Sequence, residues 1–283
     1  MYRYNTSTNA FAFRSNEPLT NDQIARYAPS VLAEEAHESR GERYAFIPTL
    51  EVLNGLRAEG FQPFEVRQTK CRDEGKRDFT KHLIRLRHAD AITSQGEVPE
   101  IVLLNSHDGT SSYQLLAGLF RFVCSNGLIA GDICNDIRVR HSGRVVDDVI
   151  EGSYRVLDNI KLVQDRVEQY RAIDLAPEEQ HAFAQSAALL RWDEDKVPVD
   201  ADRILAVRRW EDRKTDLWTT FNRAQENLLN GGLRGRTTTG KRTTTRAVGG
   251  VNENVKLNKA LWTLADSLAR FKSGTDSLLK EAA

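Results

Sequence analysis

Ile101-Val102-Leu103-Leu104-Asn105-Ser106-His107-Asp108-Gly109-Thr110-Ser111-Ser112-Tyr113-Gln114-Leu115-Leu116-Ala117-Gly118-Leu119-Phe120-Arg121-Phe122-Val123-Cys124 joins two apolar blocks through a polar corner. The first block, Ile101 to Leu104, follows Gly96 and Pro99 and is unbroken, which suits a central strand. Asn105 to Gly109 breaks the pattern. From 111 to 124, Leu115, Leu116, Leu119, Phe120, Phe122 and Val123 leave little polar face, so this block reads as a buried helix stopped by Asn126-Gly127.

Upstream of that stretch, two segments alternate with period two. Phe64 and Val66 share one parity against Glu65, Arg67 and Thr69. Lys81, Leu83, Arg85 and Arg87 oppose His82, Ile84, Leu86 and His88. Alternation of this kind predicts half-buried strands, with Asp73-Glu74-Gly75-Lys76 as the hairpin connection. Ile137-Arg138-Val139-Arg140 is a further short strand. A helix is expected from near Thr20, with Asn21 and Asp22 as capping residues and Pro29 as its interruption, and a second from Thr49 to Glu59 stopped by Gly60. Residues 1–18 read as irregular.

Beyond 144 the period changes. Val146, Val149, Ser153, Val156, Ile160, Val163, Val167 and Tyr170 alternate spacings of three and four, a heptad seam. Leu257, Leu261, Leu264, Leu268 and Phe271 repeat it in the last helix. Shorter helices fit 178–191, 202–212 and 216–229. Two narrow seams suit a bundle within the chain or assembly of several copies, and a homo-oligomer is expected. The predicted class is α+β: residues 1–144 form an antiparallel β-sheet with packed helices around a β-β-β-α core, and 145–283 form a long-helix bundle.

Bulk properties narrow the setting. The chain has 283 residues, 40% hydrophobic and 28% charged, and folds without staples on that composition. Its three cysteines give no disulfide framework and no zinc-like spacing, which points to a reducing compartment. Cys124 and Cys134, flanked by His107 and His141, are read as buried thiols rather than a metal site. The N-terminus lacks a signal-peptide core and no apolar run spans a bilayer, so a cytoplasmic location without membrane contact is expected. No cofactor is implied.

Net charge is zero but unevenly spread: residues 145–199 hold twelve acids and six bases, and 231–250 hold five bases and no acid. The latter segment runs Leu233-Arg234-Gly235-Arg236-Thr237-Thr238-Thr239-Gly240-Lys241-Arg242-Thr243-Thr244-Thr245-Arg246. Arginine forks, threonine hydroxyls and closely approachable glycine amides together suit phosphate. It reads as a β-hairpin or ordered loop between helices, either an anion-binding surface or a solvated connection. Gly235-x4-Gly240-Lys241 imitates a phosphate loop, but Arg242 stands where magnesium would need a hydroxyl.

Lys81, Arg85 and Arg87 form a second candidate basic face, or the wet side of an antiparallel sheet. Ser106-His107-Asp108 cannot align as a triad, because neighbours on a strand point apart, and reads as a corner with Asp108 or Thr110 capping the next helix. Trp192, Trp210, Trp218 and Trp262 fall in helical segments and are expected in the core.

Leu104-Asn105-Ser106-His107-Asp108-Gly109-Thr110-Ser111, then Gly118-Leu119-Phe120-Arg121 and Val123-Cys124-Ser125-Asn126-Gly127-Leu128, resemble the signature of the phage/plasmid-like proteins grouped as domain of unknown function 932. Arg242 to Val248, Asn252 and Leu257 to Ala265 resemble that family's C-terminal part. The resemblance implies a mobile-element setting and assigns no catalytic residue. By element order alone, three strands and a helix with basic residues are also similar to single-strand annealing proteins, which form rings around a basic groove. The expected function is therefore a nucleic-acid-binding accessory, acting on single-stranded DNA through Arg234, Arg236, Lys241, Arg242 and Arg246, with Lys81, Arg85 and Arg87 as a second face. The competing expectation is a non-enzymatic protein that binds a host or phage protein. An enzyme built on the Asn105 to Asp108 corner is the third.

Overall fold

The computed structural model describes residues 11–41, 44, 46–89, 96–121, 126–130, 137–139 and 145–281. Cys124, Cys134 and His141 lie outside them. The fold is α+β and the chain divides into two compact units.

The first unit is built on an antiparallel sheet. Its strands are β1 (Ala12–Arg14), β2 (Phe61–Gln68), β3 (His82–His88), β4 (Glu97–Asn105) and β5 (Tyr113–Arg121), adjacent in that order. A further strand, Ile137–Val139, pairs with β5 through Tyr113↔Val139. The helices α1 (Asn21–Tyr27) and α2 (Thr49–Ala58) belong to the same unit. Thr20 starts α1 with a capping box, its hydroxyl on the Gln23 amide and the Gln23 side chain on its own. Gly60, at φ +88, closes α2 as its spacing predicts.

Residues 113–121 correct the sequence reading. They form β5, not a helix, and pair along their length with β4, from Glu97↔Arg121 to Leu104↔Gln114. Leu115, Leu116, Ala117, Leu119 and Phe120 are all buried, so both faces of the strand are covered. A strand buried on both sides has no polar parity to display and imitates a helix buried all round. The core order is four long strands rather than three strands and a helix, within the same α+β class. The irregular reading of the N-terminus is also corrected at β1, which pairs with β2 through Phe13↔Val66. The 73–79 connection is a short 3-10 turn with the Asp73 side chain accepting from Gly75 N–H at 3.0 Å.

In chain order after β5 come β6 (Asn126–Ile129) and β7 (Ile137–Val139), then α3 (Val145–Arg171), α4 (Pro177–Leu189), α5 (Ala201–Ile204), α6 (Leu217–Asn230), β8 (Arg234–Arg236), β9 (Arg242–Thr244) and α7 (Val251–Glu281). The first unit keeps α3 up to Ile160; the second takes the rest of α3, α4 to α6, the β8–β9 pair and α7 from Asn252. The α3 seam is realised: Val149, Ser153, Val156, Ile160, Val163, Val167 and Tyr170 are all buried. In the second unit Tyr170 packs on Trp262 with ring centroids 5.4 Å apart, and Arg166 pairs with Asp266 at 3.2 Å, so these seam segments meet within one chain.

Helix α6 is the axis of the second unit. Asp216 caps it, accepting from Thr219 N–H at 2.8 Å. Every residue from Leu217 to Leu229 is buried, including Asn222, Arg223, Gln225, Glu226 and Asn227. Buried polar groups cost free energy unless paired, and most here are, Arg223 Nε and Thr220 Oγ1 being exceptions. Gln225 donates to Asn258 Oδ1 at 2.6 Å, Asn227 to the Ile204 carbonyl at 2.8 Å, and Arg223 to Gln180 Oε1 at 3.0 Å.

Candidate nucleic-acid interface

The Arg/Thr segment folds as a two-stranded antiparallel hairpin. Arg234↔Thr244, Gly235↔Thr243 and Arg236↔Arg242 face one another, and Thr237–Lys241 form the turn. Gly240, at φ +76, supplies the left-handed residue this turn needs, and its carbonyl accepts from Arg236 at 3.0 Å.

The hairpin is docked rather than free. Arg236 N–H donates to the Pro198 carbonyl at 2.8 Å. A Cβ added at Gly235 would lie 1.9 Å from that same carbonyl oxygen, so only glycine lets the strand approach. At the base, Leu233 and Thr245 are buried; Thr245 N–H donates to the Leu233 carbonyl at 2.9 Å and Leu233 N–H donates to Thr245 Oγ1 at 3.1 Å. Arg191 donates to the carbonyls of Leu228 and Arg246, tying the end of α6 to the strand leaving the hairpin.

This docking places cations on a fixed wall. Arg234, Arg236, Lys241, Arg242 and Arg246 are all exposed. Among the described residues, none forms an ion pair with a carboxylate. Arg234, Arg236 and Arg242 line an open cleft of about 1520 Å³ with Thr237, Thr243, Thr244 and Arg203. The rest of its lining runs from Gln185 and Leu189 to Pro198 and Asp200. The lining thus holds four arginines and two carboxylates, Glu194 and Asp200, and Asp200 caps α5 by accepting from Arg203 N–H at 2.9 Å.

The second candidate face fails for a plain reason. Arg85 and Arg87 are 2% and 1% exposed, not the wet side of the sheet. Register sets Glu65 across from Arg85, and Arg87 falls opposite Glu100 where β3 and β4 run on from Leu86↔Ile101. Arg85 Nη1 and Arg87 Nε each reach Glu100 at 2.9 Å. Arg87 also stacks between Phe64 and Phe120, 4.4 and 3.8 Å from the ring centroids. Burial alone would push the Glu65 carboxyl up, but Arg14, Arg67 and Arg85 reverse this and hold it well below the usual carboxylate range. Lys81 is half-buried at the end of the row; burial lowers its ammonium pKa while Asp108 opposes the shift.

The Asn105 to Gly109 corner is packed, not a pocket: Asn105, Ser106 and His107 are fully buried. Asp108 turns the chain by accepting from Thr110 N–H at 3.0 Å and Thr110 Oγ1 at 2.6 Å, leading into β5 rather than capping a helix. Gly109 has φ +74, and a Cβ there would meet Arg40 at 2.4 Å. Arg121 faces Glu97 at 3.8 Å, and Asn126-Gly127 open β6.

Hydrogen-bond direction through this corner follows from donor counting. Gln68 Nε2 donates to the Arg77 carbonyl at 2.7 Å, so Gln68 Oε1 accepts from Ser30 Oγ at 2.9 Å. Ser30 has then spent its proton and accepts from His82 Nδ1 at 2.9 Å. His82 Nε2 must accept from Thr49 Oγ1 at 3.0 Å, and Thr49 in turn accepts from Asn105 Nδ2 at 3.0 Å and His107 Nε2 at 3.3 Å. Burial, then the neighbouring His107, lowers the His82 pKa well below its ordinary value. The chain of bonds ties α2 to β3 and β4, a structural task for residues 105–107.

Trp218 and Trp262 are buried as expected, but Trp210 is 74% exposed in a 3-10 turn, Trp210–Asp212. The sequence signal for that was its neighbourhood: Arg208, Arg209, Arg213 and Lys214 flank it, and at helical spacing only Ala206 and Val207, on its N-terminal side, are apolar.

Sheet, buried α6 and docked cationic hairpin define an α+β protein with a fixed basic surface on its helical unit. The chain belongs to the family described as Domain of unknown function (DUF932), whose model matches residues 36–262. It is 51% identical over 255 residues to UPF0380 protein YafZ of Escherichia coli strain K12, covering 90% of this chain and 93% of that protein. Identity to UPF0380 protein YfjQ of the same strain is also 51% over 255 residues, with the same coverage. No solved structure matches the chain. Among the described residues no helix is long and apolar enough to cross a membrane.

Proposed function

We propose that this protein binds nucleic acid, with single-stranded DNA as its ligand, through phosphate contacts on the β8–β9 hairpin. The observation that supports the reading is a hairpin wall held by Gly235 against Pro198, with five exposed cations and no ion-paired carboxylate among the described residues. A fixed array of guanidinium forks loses less freedom on meeting phosphate than a slack arm would. The threonine hydroxyls of Thr237, Thr243 and Thr244 add neutral donors along the same wall. The resemblance to phage and plasmid proteins implies a mobile-element setting, to which an accessory role in strand binding is suited.

Fluorescence anisotropy with a labelled single-stranded oligonucleotide at two salt concentrations tests this. Affinity should fall steeply with salt, because phosphate contacts release counterions. Absent or salt-insensitive binding removes the proposal.

A further inference from the structure

Trp210 leaves its indole 74% exposed; a lone exposed apolar residue needs no explanation by itself, and what marks this one is how it is held. Here it is held out deliberately. Arg208, two residues before it, donates to Asn227 Oδ1 at 2.7 Å and to the Gly231 carbonyl at 3.2 Å. Arg209 reaches Asp212 at 2.8 Å and Glu226 at 2.6 Å. Glu226 and Asn227 are buried on α6, so two arginine clamps fix the turn that carries Trp210. Arg213 stacks on the ring, 4.3 Å from its centroid. Lys214 beside it is exposed.

The same clamp reaches the hairpin. Gly231, which Arg208 holds, is followed by Gly232, whose N–H donates to the Thr245 carbonyl at 2.8 Å at the hairpin base. The exposed ring and the arginine wall therefore hang from the same end of α6.

We propose that Trp210 is a stacking platform for an unpaired base of the strand whose phosphates the hairpin holds. This rests on the nucleic-acid reading and adds selectivity to it. An indole face backed by a guanidinium takes any base, because every base offers a π-face. In a duplex those faces are covered by neighbouring pairs. The platform therefore selects single strands without selecting sequence, whereas the hairpin alone would bind any phosphate chain.

The test uses the full chain with three probes of equal length: an oligothymidylate strand, a duplex, and an abasic deoxyribose-phosphate strand. Trp210→Ala should weaken oligothymidylate binding about 5- to 150-fold, the range of one lost base stack. It should leave abasic-strand affinity unchanged, and Trp210→Phe should restore most of the loss. Oligothymidylate should quench indole fluorescence in the unaltered protein and lose that effect in Trp210→Ala. Circular dichroism confirms that each variant is folded. Unchanged oligothymidylate binding in Trp210→Ala overturns the assignment and leaves the ring to a protein contact. Equal loss of both strands in Trp210→Ala overturns it as well. If the unaltered protein binds all three probes alike, the hairpin reading stands and the stacking one falls. If it binds none, both fall.

Discussion

Two groups of arginines in this chain sit on β-strands and do opposite work. Arg85 and Arg87 on β3 are buried against Glu65 and Glu100; Arg234, Arg236 and Arg242 on β8 and β9 are exposed beside threonines. The strand pattern of both groups is basic residues at alternate positions. What separates them is what the register sets opposite. The sheet gives β3 a carboxylate on each neighbouring strand, so its cations close an internal network. The hairpin pairs Arg236 with Arg242 and Arg234 with Thr244, and offers no acid at all. Like charges directly opposed on a two-stranded ribbon are unfavourable for folding. Their retention on a docked, glycine-fitted hairpin is what argues for an external anion.

Breaking the buried group has the largest expected effect. Glu100→Ala leaves Arg85 and Arg87 without their shared carboxylate at full burial and should cost about 3–5 kcal/mol of stability, measured by urea unfolding. Gly235→Ala comes next. Its Cβ would overlap the Pro198 carbonyl, so the hairpin must lift or strain, at about 1–3 kcal/mol, with weaker strand binding in the same preparation. A smaller change follows from acid. His82 is held neutral with its pKa below the ordinary value, so its contribution is complete above about pH 6.5 and is lost as pH falls through the folded-state value. Unfolding midpoints should drop between pH 7 and pH 5, and His82→Gln should flatten that slope. Least of all, for stability, is Arg234→Gln/Arg236→Gln/Arg242→Gln. Removing exposed charges with no carboxylate partner should change stability by no more than about 0.5 kcal/mol. A large loss there would erase the contrast between the two groups.

Much of this architecture is written in local pattern. The existence of β2 and β3, the Gly60 stop, the Thr20 capping box and the α3 seam follow from spacing and capping chemistry. The hairpin was legible as one of two alternatives, beside an ordered loop, because Gly240-Lys241 between threonine triplets is turn chemistry flanked by β-branched residues. Three features were not. Strand β5 has no polar parity, since Leu115 and Leu116 are covered on opposite faces, so period could not separate strand from helix. Length did not separate them either, because the apolar block runs on through Phe122 and Val123 to a length that suits a helix. The burial of Arg85 and Arg87 depends on Glu100 lying across the sheet, a pairing that alternation along one strand does not contain. Trp210 is exposed because Arg208 and Arg209 are claimed by α6, a contact between distant segments.

The sharpest test of the account is the slope of log affinity against log salt for a single-stranded oligonucleotide, compared between the unaltered chain and the Arg234→Gln/Arg236→Gln/Arg242→Gln variant. Three lost phosphate contacts should reduce the slope by about 2 while the fold is kept. An identical slope in the two proteins would contradict the assignment of the hairpin as the strand-binding surface.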